Sequence, residues 1–168
     1  MQIQAAITSA MGETFALDTV ELATPALGEI QVRIVATGVC HTDAVARDLG
    51  IAPFPIVLGH EGAGVVEALG AGVKGLEVGD HVVLSFAHCG QCAHCLTGHP
   101  TVCSTFNELN FGGAMDDGSH RLQQQGKTLG GCPRIRYAHL KGDQKTIQQT
   151  PKDDVCSPAT NKTVQWRF

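Results

Sequence analysis

The segment HCGQCAHCLTGHPTVC sets Cys89, Cys92, Cys95 and Cys103 in a C-x2-C-x2-C-x7-C spacing. Zinc takes four soft ligands in a tetrahedron, and short loops can bring thiolates to it. Gly90 and Gly98 permit the bends that such a loop needs. An iron–sulfur cluster also uses C-x2-C-x2-C, but its run continues C-x3-C-P, which this chain lacks. With all four positions filled by protein, the expected job is structural, because no coordination position stays open for a substrate. The neighbouring His88, His94 and His99 read as surface residues or as residues packed beside the ligands. A second constellation is looser. Cys40, in GVCHTD, and His60, in GHEGAG, could give a thiolate and an imidazole to another metal, or could be a buried cysteine and a turn histidine.

The elements that carry these residues read as short strands joined by glycine turns. MQIQAAIT alternates, and GEIQVRIVATGVC places Ile30, Val32, Ile34 and Ala36 on one face. Thr42 and Asp43 read as caps of a short helix through AVARDLG, ended by Gly50. GHEGAGVVEALG gives a turn and then a strand with Val65, Val66 and Leu69, and VGDHVVLSF gives another. The expected class is mainly β, a partly closed barrel with short helices and a zinc-binding lobe over 88–104. Gly70-Ala71-Gly72-Val73-Lys74-Gly75 fits G-x-G-x-x-G, yet Gly79 leaves no room for the helix whose N-terminus would hold a pyrophosphate. It reads as a turn, and no nucleotide-binding domain is expected in this text.

Composition narrows the function classes. The chain has 168 residues, 43% of them apolar, with 20 glycines and a net charge of −4. This balance carries no basic signal for nucleic acid or an anionic membrane. No apolar run nears the ~20 residues that span a bilayer. The start shows no signal peptide, so a cytoplasmic location is the default. Seven cysteines in such a chain favour metal over a disulfide scaffold. The charge is uneven. Residues 1–120 hold 3 basic and 13 acidic residues, whereas 121–168 hold 9 basic and 3 acidic. Residues 123–168 therefore read as an atypical basic, glutamine-rich tail, disordered or foreign to the fold. A nucleic-acid tail is the rival, opposed by the scatter of its basic residues.

With GVCHTD at 38–43, GHEGAGVV at 59–66, VGDHVV at 78–83 and the cysteine lobe in one order and spacing, residues 1–122 resemble the catalytic domain of the medium-chain, zinc-dependent alcohol dehydrogenases. The likeness is to the aryl- or benzyl-alcohol group. It implies a GroES-like barrel, ordinarily followed by a Rossmann domain that binds NAD(P), and an alcohol or aldehyde as the small-molecule partner, with no membrane and room for a homo-oligomer. The resemblance makes Cys40 and His60 catalytic zinc ligands, and Glu61 a carboxylate that can approach or bind the zinc. Asp43 would orient the ligand histidine, Thr42 would take the alcohol proton, and His41 would face the cofactor pyrophosphate. Cys89, Cys92, Cys95 and Cys103 would hold the structural zinc. Zinc would lower the alcohol pKa, and hydride would pass to NAD.

The pattern also departs from the family. Val45 stands where some members carry a relay histidine. The third catalytic ligand, usually a cysteine some way beyond the lobe, has no counterpart in TNKTVQWRF, and Cys132 and Cys156 stand in other contexts. A truncated, inactive form whose last ~40 residues come from a shifted reading frame, or a divergent fragment, is therefore expected. The alternatives are a non-catalytic zinc-binding structural or interaction module and, less well matched to the cysteine lobe, a GroES-like co-chaperonin.

Overall fold

The structure is a computed structural model. It describes residues 1–115 and 117–131, together with the backbone of two further strands at 135–139 and 162–167. Two sheets share the chain. The first closes into a barrel in the order β1 (Gln2–Thr8), β2 (Ala16–Leu22), β7 (Leu122–Gln124), β8 (Lys127–Gly131) and β4 (Ile56–Val57). The second is open, in the order β10 (Lys162–Arg167), β3 (Glu29–Thr37), β5 (Gly62–Leu69), β6 (His81–Phe86) and β9 (Ile135–His139). All pairings are antiparallel except β4 with β8. The described residues contain no Rossmann topology, and none of their helices is long and apolar enough to cross a membrane. The mainly β, GroES-like reading of the sequence stands.

Alternation builds the barrel. Ile3, Ala5 and Ile7 on β1 point inward, against Val20 and Leu22 of β2 and Leu122 and Leu129 of β7 and β8. Ile30, Val32, Ile34, Val66, Leu76 and Val82 form a second core on the open sheet. The two are tied by an ion pair. Glu29, fully buried at the start of β3, receives two hydrogen bonds from the Arg121 guanidinium (2.6 and 2.8 Å) and one from the backbone N–H of Ala26 (3.0 Å). The acid lies at the head of the sheet and the arginine beside the first residue of β7, so one bidentate contact fixes barrel against sheet.

Several sequence expectations change in detail. Ala36 leaves the buried face of β3 and is exposed, because the β3–β5 register shifts between Ile34 and Ala36. Such a bulge breaks the period of two and turns the strand end toward a new side. The helix α1 spans His41–Asp48, one turn earlier than its caps suggested. Its N-cap is Cys40, whose sulfur accepts from the Thr42 N–H, while Asp43 at the third position accepts from the Cys40 N–H. Thr42 and Asp43 thus lie inside the first turn rather than before it. The glycine run at 70–75 is the connection between β5 and β6, as expected. The sheet also continues past residue 122: the hairpin β7–β8 carries the barrel to Gly131, and IRYAH of the tail is strand β9.

Candidate metal centres

The first centre is the lobe between β6 and the helix α3 (Phe106–Phe111), with a short helix α2 (Ala93–Leu96) inside it. Its four ligand sulfurs lie within 4.8 Å of one another. Cys89 and Cys95 are 3.9 Å apart and Cys92 and Cys95 3.5 Å, close to the ~3.8 Å that four sulfurs take around one zinc. Backbone N–H groups already point at sulfur: Cys92 and Gln91 donate to Cys89 (3.3 and 3.5 Å), and Cys89 donates to Cys103 (3.3 Å). Gly90 and Gly98 make the bends in left-handed backbone. The donors therefore fit zinc in number, softness and spacing. His94 and His99 are exposed.

Without a cation the thiols divide. A hydrogen bond from the Ser104 backbone draws Cys92 down to about 5, and the Thr105 hydroxyl draws Cys103 down to about 7. Burial pushes Cys95 up to about 12. Cys95 is thus held as a thiol beside Cys92 and Cys103, its burial and its hydrogen bonds to the neighbouring sulfurs favouring the protonated form. A divalent cation reverses that preference and holds all four as thiolates.

The lobe has its own small core, Ala87, Cys103 and Leu109, with Phe106 and the cysteines packed on it. Asn110, fully buried, fastens it to the sheet. Its side-chain oxygen accepts from the Ala87 N–H (2.8 Å), and its nitrogen donates to the carbonyls of Ala87 (3.1 Å) and Phe106 (2.8 Å).

The second centre follows from strand pairing. β3 and β5 run antiparallel, with Thr37 opposite Gly62. The residues that leave β3 must therefore face those that enter β5. The ladder runs one step further, with the Gly38 N–H on the Glu61 carbonyl at 3.0 Å and the Thr37 hydroxyl on the same oxygen at 2.6 Å. This brings Cys40, His60 and Glu61 together, their ligand atoms within 4.8 Å of one another. Continuing the β5–β6 register brings Phe86 level with His60, and the rings stack at 4.3 Å and 23°.

Asp43 serves two partners. One carboxylate oxygen accepts from the Cys40 N–H (3.2 Å), and the other lies 3.1 Å from His60 Nδ1. Both Asp43 and His60 are buried. The contact leaves Nε2 as the free ring nitrogen, the usual arrangement of a ligand histidine backed by a carboxylate. Thr42 Oγ1 sits 3.4 Å from the Cys40 sulfur. Thr42, Cys40, His60, Glu61 and Phe86 line one open cleft together with Leu84 and Ala63. His41 is not in that lining; it is exposed at the first position of α1. A thiolate, an imidazole and a carboxylate on one side, with open space on the other, suit a zinc that keeps a position for an oxygen ligand. Cys132 and Cys156 lie outside the described residues.

The stacking of Phe86, the Asn110 clasp and the Glu29–Arg121 pair were not read from the sequence. Glu29 and Arg121 are 92 positions apart, and no local pattern joins them. Phe86 could have been found by counting the register of two neighbouring strands.

A GroES-like domain bearing one closed tetrathiolate cluster and one open Cys–His–carboxylate cluster defines a narrow class. Residues 26–127 match the alcohol dehydrogenase GroES-like domain. The chain is 48% identical over 124 residues to geraniol dehydrogenase of Castellaniella defragrans, covering 73% of this chain and 33% of that protein. It is 38% identical over 155 residues to S-(hydroxymethyl)glutathione dehydrogenase of Aspergillus oryzae, covering 88% and 40%. Among solved structures, an alcohol dehydrogenase zinc-binding domain protein from Burkholderia ambifaria superposes with a TM-score of 0.74 at 47% identity, over 78% of this chain and 36% of that one. Benzyl alcohol dehydrogenase from Acinetobacter calcoaceticus superposes with a TM-score of 0.70 at 45% identity, over 78% and 35%. The chain belongs to the medium-chain, zinc-dependent alcohol dehydrogenases and corresponds to the N-terminal portion of that family. It spans about a third of the length of these relatives, from 33% to 40%.

Proposed function

We propose that this chain supplies the metal-holding half of an oxidoreductase that oxidises a primary, aromatic alcohol to the aldehyde, with hydride passing to NAD. The observation that carries the reading is the cleft in which Cys40, His60 and Glu61 converge beside the Thr42 hydroxyl. Zinc held there supplies the Lewis acidity that lowers an alcohol pKa toward neutrality. Asp43 holds the His60 tautomer and strengthens it as a ligand. Thr42, which lines the cleft 3.4 Å from the Cys40 sulfur, would accept the hydroxyl proton of a bound alcohol. Phe86, Leu84 and Ala63 give the cleft an apolar side suited to an aryl or alkyl group. The likeness to a protein named for benzyl alcohol supports an aromatic primary alcohol. Cys89, Cys92, Cys95 and Cys103 hold a second zinc that takes no part in the chemistry.

The described residues contain no Rossmann topology, so in this reading turnover needs a nucleotide-binding domain to hold the hydride acceptor, and inactivity of the 168 residues alone is the expected result. On its own the chain would then behave as a zinc-binding module, the second reading, favoured by the completeness and separate core of the lobe. Metal analysis with an NAD assay separates them. Two zincs per chain, with benzyl alcohol perturbing the spectrum of cobalt placed at Cys40, support the dehydrogenase site. One zinc and no response to alcohol leave only the module. NADH formed by the isolated chain would overturn the expected inactivity.

A further inference from the structure

Two glycines flank the open centre, and they are glycines for different reasons. Gly59 has a φ of 133°, and a Cβ built on it would meet nothing within 4 Å, so its backbone conformation alone excludes a side chain. Gly38 is not in left-handed backbone, and any residue could adopt its conformation. What excludes a side chain there is Glu61. A Cβ on Gly38 would run into Glu61 Oε2 and press against Glu61 Cβ and Cδ, each at 3.3 Å. The backbones cannot separate to make room, because the Gly38 N–H and the Thr37 hydroxyl both hold the Glu61 carbonyl. Glu61 is exposed, so its side chain has solvent to swing into.

We infer that Gly38 is a positioning residue: its missing side chain is the slot in which the Glu61 carboxylate lies within ligand distance of Cys40 and His60. The inference rests on the reading of that cluster as a metal centre. A methyl group at 38 would fill the slot and turn the carboxylate outward while the strands stay paired, since the atom it meets is the far end of a flexible side chain. The metal would lose a carboxylate that no substitution at Glu61 itself had removed.

The test uses the whole 168-residue chain, with zinc in the lobe and Co2+ titrated into the Cys40 centre. For Gly38→Ala the expected result is a loss of cobalt affinity of about tenfold, and a visible absorption spectrum that matches that of Glu61→Gln. The double variant should lose no more than either single one, because both remove the same contact. Unchanged folding is read by far-UV circular dichroism and lobe zinc content. Additive losses, or a wild-type cobalt spectrum in Gly38→Ala, would overturn the inference. If Gly38→Ala does not fold, Gly38→Ala/Glu61→Ala decides: recovery of folding supports the clash, and failure to recover overturns it. A native chain that takes up no metal beyond the lobe overturns the underlying reading, and the inference with it.

Discussion

The cysteine lobe and the Cys40 centre hold similar ligands by different means. In the lobe the four sulfurs come from one stretch of chain, held by its own turns, its own core and the Asn110 clasp. In the open centre the ligands come from the ends of two strands, and only the β3–β5 pairing makes them neighbours. The lobe is thus a local object, and the open centre depends on the sheet. This teaches why the lobe can be complete while the other remains open. Four thiolates leave no vacancy, whereas a thiolate, an imidazole and one movable carboxylate leave room for an oxygen.

The largest expected effect comes from breaking the lobe itself. Cys103→Ser should remove one zinc per chain and expose residues 89–103 to protease, because structural zinc supplies on the order of 10 kcal/mol to small zinc domains. The barrel and sheet, with separate cores, should keep their hydrogen-exchange protection. General unfolding would show that the lobe is not local.

Arg121→Ala attacks the other half. It takes the guanidinium away from a fully buried Glu29 carboxylate that keeps its Ala26 N–H, and should cost about 3–5 kcal/mol in denaturant unfolding. Metal should loosen at Cys40 before it loosens in the lobe. A loss below ~1 kcal/mol would mean that the pair does not tie barrel to sheet.

Asp43→Asn sharpens the comparison at smaller scale. The amide keeps the shape but weakens the hold on His60, and metal affinity at Cys40 should fall about 10–100-fold with the lobe unaffected. Equal losses at both sites, measured by competition with a chelating dye, would contradict the separation.

The smallest effect is counted in protons. At pH 8 Cys95, pushed up to about 12, is still a thiol, while Cys92 (about 5) and Cys103 (about 7) are already thiolates. Zinc binding should therefore release at least one proton at pH 8. At pH 6 Cys103 is protonated as well, so release should rise to at least two, and affinity should fall as pH drops. Calorimetry in buffers of different ionisation heat reads this count.

Much of the local object was legible in the sequence. The spacing of Cys89, Cys92, Cys95 and Cys103 specifies a ligand set directly; alternation marked β1 and β3, and apolar runs after glycine turns marked β5 and β6. Most of the failures concern relations between distant segments, and one, the helix cap, is local. Ala36 was placed on the wrong face because a bulge depends on the partner strand. The helix cap fell to Cys40, a weak acceptor passed over for Thr42 and Asp43. β7 and β8 both follow the change in charge after residue 120, which hid their role in closing the barrel. Of the open centre, residue types were legible from the family likeness, but Phe86 and the Gly38 slot needed the register of three strands.

The contrast between a closed and an open centre is tested most directly by native mass spectrometry of the zinc-loaded chain during a chelator challenge. The account expects two zincs at the start, rapid loss of one, and slow loss of the other, with Cys103→Ser lacking the slow one. Equal rates for both zincs, or a slow zinc that survives in Cys103→Ser, would contradict it.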